Sequence, residues 1–122
     1  LARAGAALAA GHAVILDAVF ATTAERQAAE DIARQMGVAF HGLWLAADPG
    51  ILMARVARRR NDASDADVAV VERQLSYDLG AMTWQRLEAG SGAADVLGRA
   101  RAALNAKGAL APEAPMMPSP AV

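Results

Sequence analysis

The chain has 122 residues, 55% of them hydrophobic and 20% charged, with a net charge of −1 and no cysteine. That length fits one domain with a buried core. The near-neutral balance excludes a broad basic field for nucleic acid or an anionic membrane. The lack of cysteine excludes disulfides and thiolate–metal sites and suits a reducing, cytoplasmic compartment. No apolar run approaches the roughly 18 residues that a membrane span needs.

In chain order, Leu1 to Ala10 is Ala-rich and reads as the last turns of a helix, closed by Gly11. The chain is accordingly expected to be part of something longer. Gly11 to Phe20, GHAVILDAVF, then reads as a short buried strand over Ala13–Leu16, with Asp17 at its carboxyl end. Thr22 and Glu25 form a capping-box pattern for a helix running to Met36 and stopped by Gly37. Phe40 to Ala46 reads as a second strand. Asp48-Pro49 starts the next helix, with an acid at the cap and Pro at the first turn. That helix presents Leu52, Met53 and Val56 and runs into Arg58, Arg59 and Arg60.

Asn61 to Asp65 is a polar connector, and Ala66 to Leu79 a helix with Val68, Val71 and Leu75 as its core stripe. Glu72 and Gln74 fall off that stripe, toward a cleft or toward solvent. Met82 to Leu87 alternates and reads as a third strand, and Gly90-Ser91-Gly92 as a loop. Ala93 to Leu104 reads as a final amphipathic helix. Residues 106–122 contain Pro112, Pro115, Pro118 and Pro120 and read as a disordered Pro/Ala-rich tail outside a domain of residues 1–105.

The order of elements gives the fold class: α/β, with a parallel sheet of three strands flanked by helices and right-handed crossovers. In open sheets of this kind ligands gather beyond the carboxyl ends of the strands. Asp17 is placed there, where a carboxylate holds magnesium through water or orients a hydroxyl for attack on phosphorus. The structural alternative is a cap on the loop that follows. Arg55 and Arg59, four apart on one helix face, suit a clamp for phosphoryl oxygens or, more plainly, a cationic helix end. Arg26 sits in the first turns of the helix after Asp17, within reach of an anionic substrate or simply on the surface. His12 and His41 lack partners at ligand or triad spacing. Trp44 and Trp84 are read as packing residues.

These pieces resemble the second half of a small-molecule P-loop kinase of the AAA type, such as the domains fused to aminoglycoside-phosphotransferase-like proteins. More distant relatives are gluconate kinase, adenylate kinase and polynucleotide kinase. The resemblance rests on VILDAVF at Val14–Phe20 with Arg26 and on LWLAADPGILMARVARRR at Leu43–Arg60. DASDADVAVVERQL at Asp62–Leu75 and WQRLEAG at Trp84–Gly90 complete it. It implies an incomplete three-layer α/β/α P-loop domain acting on a small hydroxylated acceptor with ATP and Mg2+. By the same resemblance Asp17 acts near the metal and the acceptor, and Arg26 lies on the acceptor side. Arg55 and Arg59 are lid arginines on the nucleotide phosphates, with residues 61–66 as the lid loop. Ala89, Gly90 and Gly92 supply backbone beside the adenine.

One departure matters. Such kinases cradle the phosphates with G-x-x-x-x-G-K-[ST], and here the sole lysine is Lys107. The resemblance therefore implies a phosphate loop and two strands upstream, with the loop about 50–70 residues before Leu1. The 122 residues alone are expected neither to bind ATP tightly nor to turn over. The competing expectation is a degenerate kinase-like module that binds or oligomerises, with a homodimer formed through an exposed sheet edge. A flavodoxin-like or response-regulator-like domain has no place for the arginine helix and polar lid.

Overall fold

The computed structural model describes residues 1–58 and 67–108. Five helices and two strands follow in the order α1 (Ala2–Ala9), α2 (Thr23–Gln35), β1 (Leu43–Ala46), α3 (Pro49–Arg58), α4 (Asp67–Leu75), β2 (Gln85–Glu88) and α5 (Ala93–Ala106). Arg59, the expected lid loop and residues 109–122 of the expected tail lie outside the described residues.

Local chemistry explains the helix boundaries. α1 and α2 both end in a Schellman turn, in which the last carbonyls accept from residues just past the end. In α1, His12 N donates to Ala7 O and Gly11 N to Leu8 O; in α2, Val38 N donates to Ala33 O and Gly37 N to Arg34 O. Gly11 and Gly37 supply the required left-handed backbone, at φ 83° and 66°. Thr22 caps α2 through a complete capping box: Glu25 N donates to Thr22 Oγ1 at 3.2 Å, and Thr22 N donates to Glu25 Oε2 at 2.9 Å. α3 begins as its sequence predicts, with Gly50 N donating to Asp48 Oδ1 at 2.8 Å ahead of the Pro49 turn.

β1 and β2 pair in parallel, Leu43 with Gln85 through Ala46 with Glu88. The ladder is bracketed by Gln85 N to Gly42 O at 3.0 Å and Ala89 N to Ala46 O at 2.7 Å. α3 packs on α4, and α5 on β2. The buried apolar residues are small, Ala4, Ala29, Ala33 and Ala103, joined by Leu87 of β2. The aromatic side chains form a separate knot: Trp84 stands edge-on to Phe20 at 5.1 Å and tilted against Phe40 at 5.5 Å. Its indole N–H donates to Glu30 Oε1 at 2.8 Å, which ties α2 to the segment entering β2.

The sheet departs from expectation in two ways. Ala13–Leu16 forms no ladder, so the sheet has two strands among the described residues rather than three. Ile15 is 94% exposed. An apolar run becomes a strand only when a neighbour accepts its backbone bonds, and among the described residues no strand does so for Ala13–Leu16. The strands are also shorter than expected. The ladder starts at Leu43 because Phe40 turns toward Trp84, and it starts at Gln85 because Trp84 is itself given over to the aromatic knot. The last helix runs through Ala106, one residue into the expected tail.

Candidate functional site

Two groups of residues meet at the ends of the elements. The first lies at the carboxyl ends of the two strands. From the exposed face of α3, Arg55 Nη2 donates to Ala89 O at 2.7 Å and to Gly90 O at 3.1 Å. The same loop is held close, since a Cβ on Gly90 would stand 3.1 Å from Ile51 Cδ1 of α3. Gly92 is the N-cap residue of α5. Ser91 Oγ donates to Asp95, which also pairs with Arg99 Nη2 at 3.2 Å. The Ser91 hydroxyl and then Arg99 hold the Asp95 carboxyl below its ordinary pKa. Arg55, Ala89, Gly90 and Gly92, separately picked out in the sequence, thus belong to one loop–helix assembly.

The second group surrounds Arg26. Its residue is only 3% exposed, although it is a cation on an otherwise ordinary amphipathic helix. Nη1 donates to Phe20 O at 2.8 Å and Ala21 O at 3.1 Å. Nη2 donates to Thr23 Oγ1 at 3.2 Å, to Leu79 O, and to Ala81 O at 3.4 Å. The guanidinium carbon lies 6.0 Å from the ring centre of Trp44. A buried charge is tolerable when its donors are met in this way. Phe20 takes a left-handed φ of 47°, unusual for an aromatic residue, and turns its carbonyl onto the guanidinium.

Arg26 therefore joins two chain segments, residues 20–21 and 79–81. Between those segments and α2 opens a cavity of about 380 Å³. Val19, Ala21, Thr22 and Glu25 form one wall, and Gln74, Tyr77 and Asp78 the other. Asp78 Oδ1 accepts from Gly80 N at 3.0 Å in a turn where Gly80 has φ 60°. Glu25 Oε2 is engaged by Thr22, whose backbone N–H and then hydroxyl hold the Glu25 carboxyl below its ordinary pKa.

Asp17 is exposed, just ahead of the bend at Ala18 and two residues before Val19, and makes no hydrogen bond or salt bridge among the described residues. His41 is part-buried, with Nδ1 unpartnered among the described residues. The cavity was only partly visible in the sequence. Gln74 reads as facing a cleft or solvent, whereas Glu25 reads as a cap alone and Tyr77-Asp78 as the end of a helix to Leu79; α4 instead stops at Leu75.

A family model described as AAA domain matches residues 1–78. The chain belongs to the AAA domain family. It is thereby a P-loop NTPase-like domain, of a nucleotide-binding class. Asp17, Arg26, Arg55 and the whole cavity lie inside the matched span of the AAA domain, whereas Ala89 to Gly92 lie beyond it. No curated protein and no solved structure matches the chain. Among its described residues no helix is long and apolar enough to cross a membrane.

Proposed function

We propose that this AAA domain is part of an ATP-dependent phosphotransferase that phosphorylates a small hydroxylated acceptor. The observation that carries the reading is the bonding of Arg55 to the Ala89 and Gly90 carbonyls at the carboxyl ends of two parallel strands. Nucleotides bind α/β sheets in that position. A guanidinium has five donors, so those two carbonyls leave others to meet phosphoryl oxygens. Arg59, four positions after Arg55 in the sequence, would add a second guanidinium, and Ala89 to Gly92 offer backbone to the adenine. A magnesium ion bound with ATP would neutralise phosphate charge and leave the terminal phosphoryl group open to attack.

The donor set suits that ion. Among the described residues no three His, Cys, Asp or Glu side chains gather as a cage. A single exposed carboxylate matches the way magnesium keeps most of its waters and touches protein through few ligands. In this reading Asp17 holds a metal-bound water or accepts the proton of the acceptor hydroxyl. Arg26 acts at one remove, because it ties residues 20–21 to residues 79–81. The 122 residues carry no G-x-x-x-x-G-K-[ST], so by themselves they hold no phosphate cradle and do not turn over.

The test is ADP release by a polypeptide extended upstream of Leu1. The expected result is magnesium-dependent turnover that the 122-residue chain lacks, with Asp17→Asn lowering kcat by about 10²–10⁴-fold. An upstream reading frame without a phosphate loop would overturn the proposal. A second reading, a non-catalytic module that pairs with a copy of itself, draws on the exposure of Ile15, Leu16, Val19 and Leu45. Sedimentation distinguishes it: this reading expects a dimer that dissociates when Ile15 becomes Asp.

A further inference from the structure

Among the described residues, every charged side chain that lines the cavity beside Arg26 is an acid. Glu25 and Asp78 face it from opposite walls, Gln74 and Tyr77 add amide and phenol groups, and Val19 and Ala21 add an apolar floor. Each carboxylate spends one oxygen on its own turn, Glu25 Oε2 on Thr22 and Asp78 Oδ1 on Gly80. The second oxygen of each is left without a hydrogen-bond partner among the described residues. Arg26 adds no counterweight, since its donors point into the carbonyls of residues 20, 21, 79 and 81. The cavity is an open cleft of about 380 Å³ lined mostly by exposed side chains, its volume toward the small end of ligand sites, which span roughly 300–1,000 Å³.

Resting on the phosphotransferase reading above, we infer that this cavity is the acceptor subsite and takes a monosaccharide-sized hydroxylated molecule that is neutral or carries an ammonium group. It discriminates against acceptors bearing a carboxylate or a phosphate. The physical reason is asymmetric. Hydroxyl and ammonium hydrogens find carboxylate oxygens ready to accept, whereas an anionic acceptor meets two like charges and, among the described residues that line the cavity, no cation. The alkyl face of a sugar-like ring rests on Val19 and Ala21. In this reading Asp17, two residues before Val19 in the sequence, serves the phosphoryl-transfer side.

The experiment is an amide-shift titration of the full 122-residue chain by two-dimensional NMR with glucosamine, glucose and glucuronate. The expected order is glucosamine, then glucose, then glucuronate, with the first at least about tenfold tighter than the last. Shifts should centre on Thr22, Glu25, Gln74, Tyr77 and Asp78. The pair Glu25→Gln and Asp78→Asn keeps both turns capped and should bring the glucosamine-to-glucuronate ratio close to one. Equal or tighter binding of glucuronate, shifts centred elsewhere, or no shift with any of the three overturns the inference.

An ATP titration of the upstream-extended protein, followed at Ala89 to Gly92, keeps the two readings apart. Nucleotide binding without sugar binding sinks the cavity assignment alone. Sugar binding without nucleotide binding leaves a sugar site but sinks the phosphotransferase reading and, with it, the acceptor role.

Discussion

Gly42 and Trp84 leave no room for a side chain between them: a Cβ on Gly42 would press onto the indole, 2.5 Å from both Cδ1 and Cδ2 of Trp84. The sheet's first bond, Gln85 N to Gly42 O at 3.0 Å, therefore forms directly beside the aromatic knot. Gly42→Ala should force the indole away and lower stability by about 1–3 kcal/mol, the usual range for overpacking. Urea unfolding followed by tryptophan fluorescence measures it. A second change, Trp84→Leu, should remove most of the Gly42→Ala penalty, because the two residues conflict directly.

Arg26→Lys retains the charge and loses the fork. One ammonium cannot reach the carbonyls of both residues 20–21 and residues 79–81. The expected loss is about 2–4 kcal/mol, set by buried carbonyls left without donors. The urea midpoint should fall while the slope of the transition stays constant.

The α2 capping box sets an acid limit. Glu25 has a folded-state pKa below its ordinary value, chiefly from the Thr22 backbone bond and then from the Thr22 hydroxyl. A depressed acid contributes stability above its unfolded pKa and loses it as pH falls through the folded one. Melting temperature should therefore drop between about pH 5 and pH 3, on either side of the ordinary glutamate value. Thr22→Ala should cost about 1 kcal/mol at neutral pH and flatten this acid limb. Calorimetry across that pH range checks both effects.

Arg55→Ala should leave the fold nearly unchanged, because the side chain is exposed. It should loosen the Ala89–Gly92 loop and weaken nucleotide affinity of the upstream-extended protein by at least about tenfold, a typical cost of a lost charge-assisted bond. Arg55→Lys should restore part of the affinity. Equilibrium titration with a fluorescent ATP analogue measures both variants.

Much of this architecture was legible residue by residue. The Thr22–Glu25 spacing, Asp48-Pro49, Gly11 and Gly37 each state a helix boundary through chemistry that acts within four or five residues. The resemblance puts Arg55 and Ala89 to Gly92 around one nucleotide, but the bonds from Arg55 to the Ala89 and Gly90 carbonyls carry no signal in the sequence. Ala13–Leu16 was misread because its apolar run says what it avoids, not which backbone it pairs with. The burial of Arg26 was hidden for a related reason. Its partners at Leu79 and Ala81 lie more than fifty positions away, and they are carbonyls, which every residue possesses. The cavity is formed in the same way, from loops that only the fold brings together.

The pairing of Leu43 with Gln85 has a kinetic consequence. A parallel two-strand ladder closes a circuit through two helices, so its ordering cost falls due before any of its bonds can form. The rate-limiting event in refolding should therefore be docking of the Trp84 segment onto preformed α2, with helical signal recovering before indole fluorescence. Chains ending before that segment should retain helical turns yet lack a cooperative melting transition.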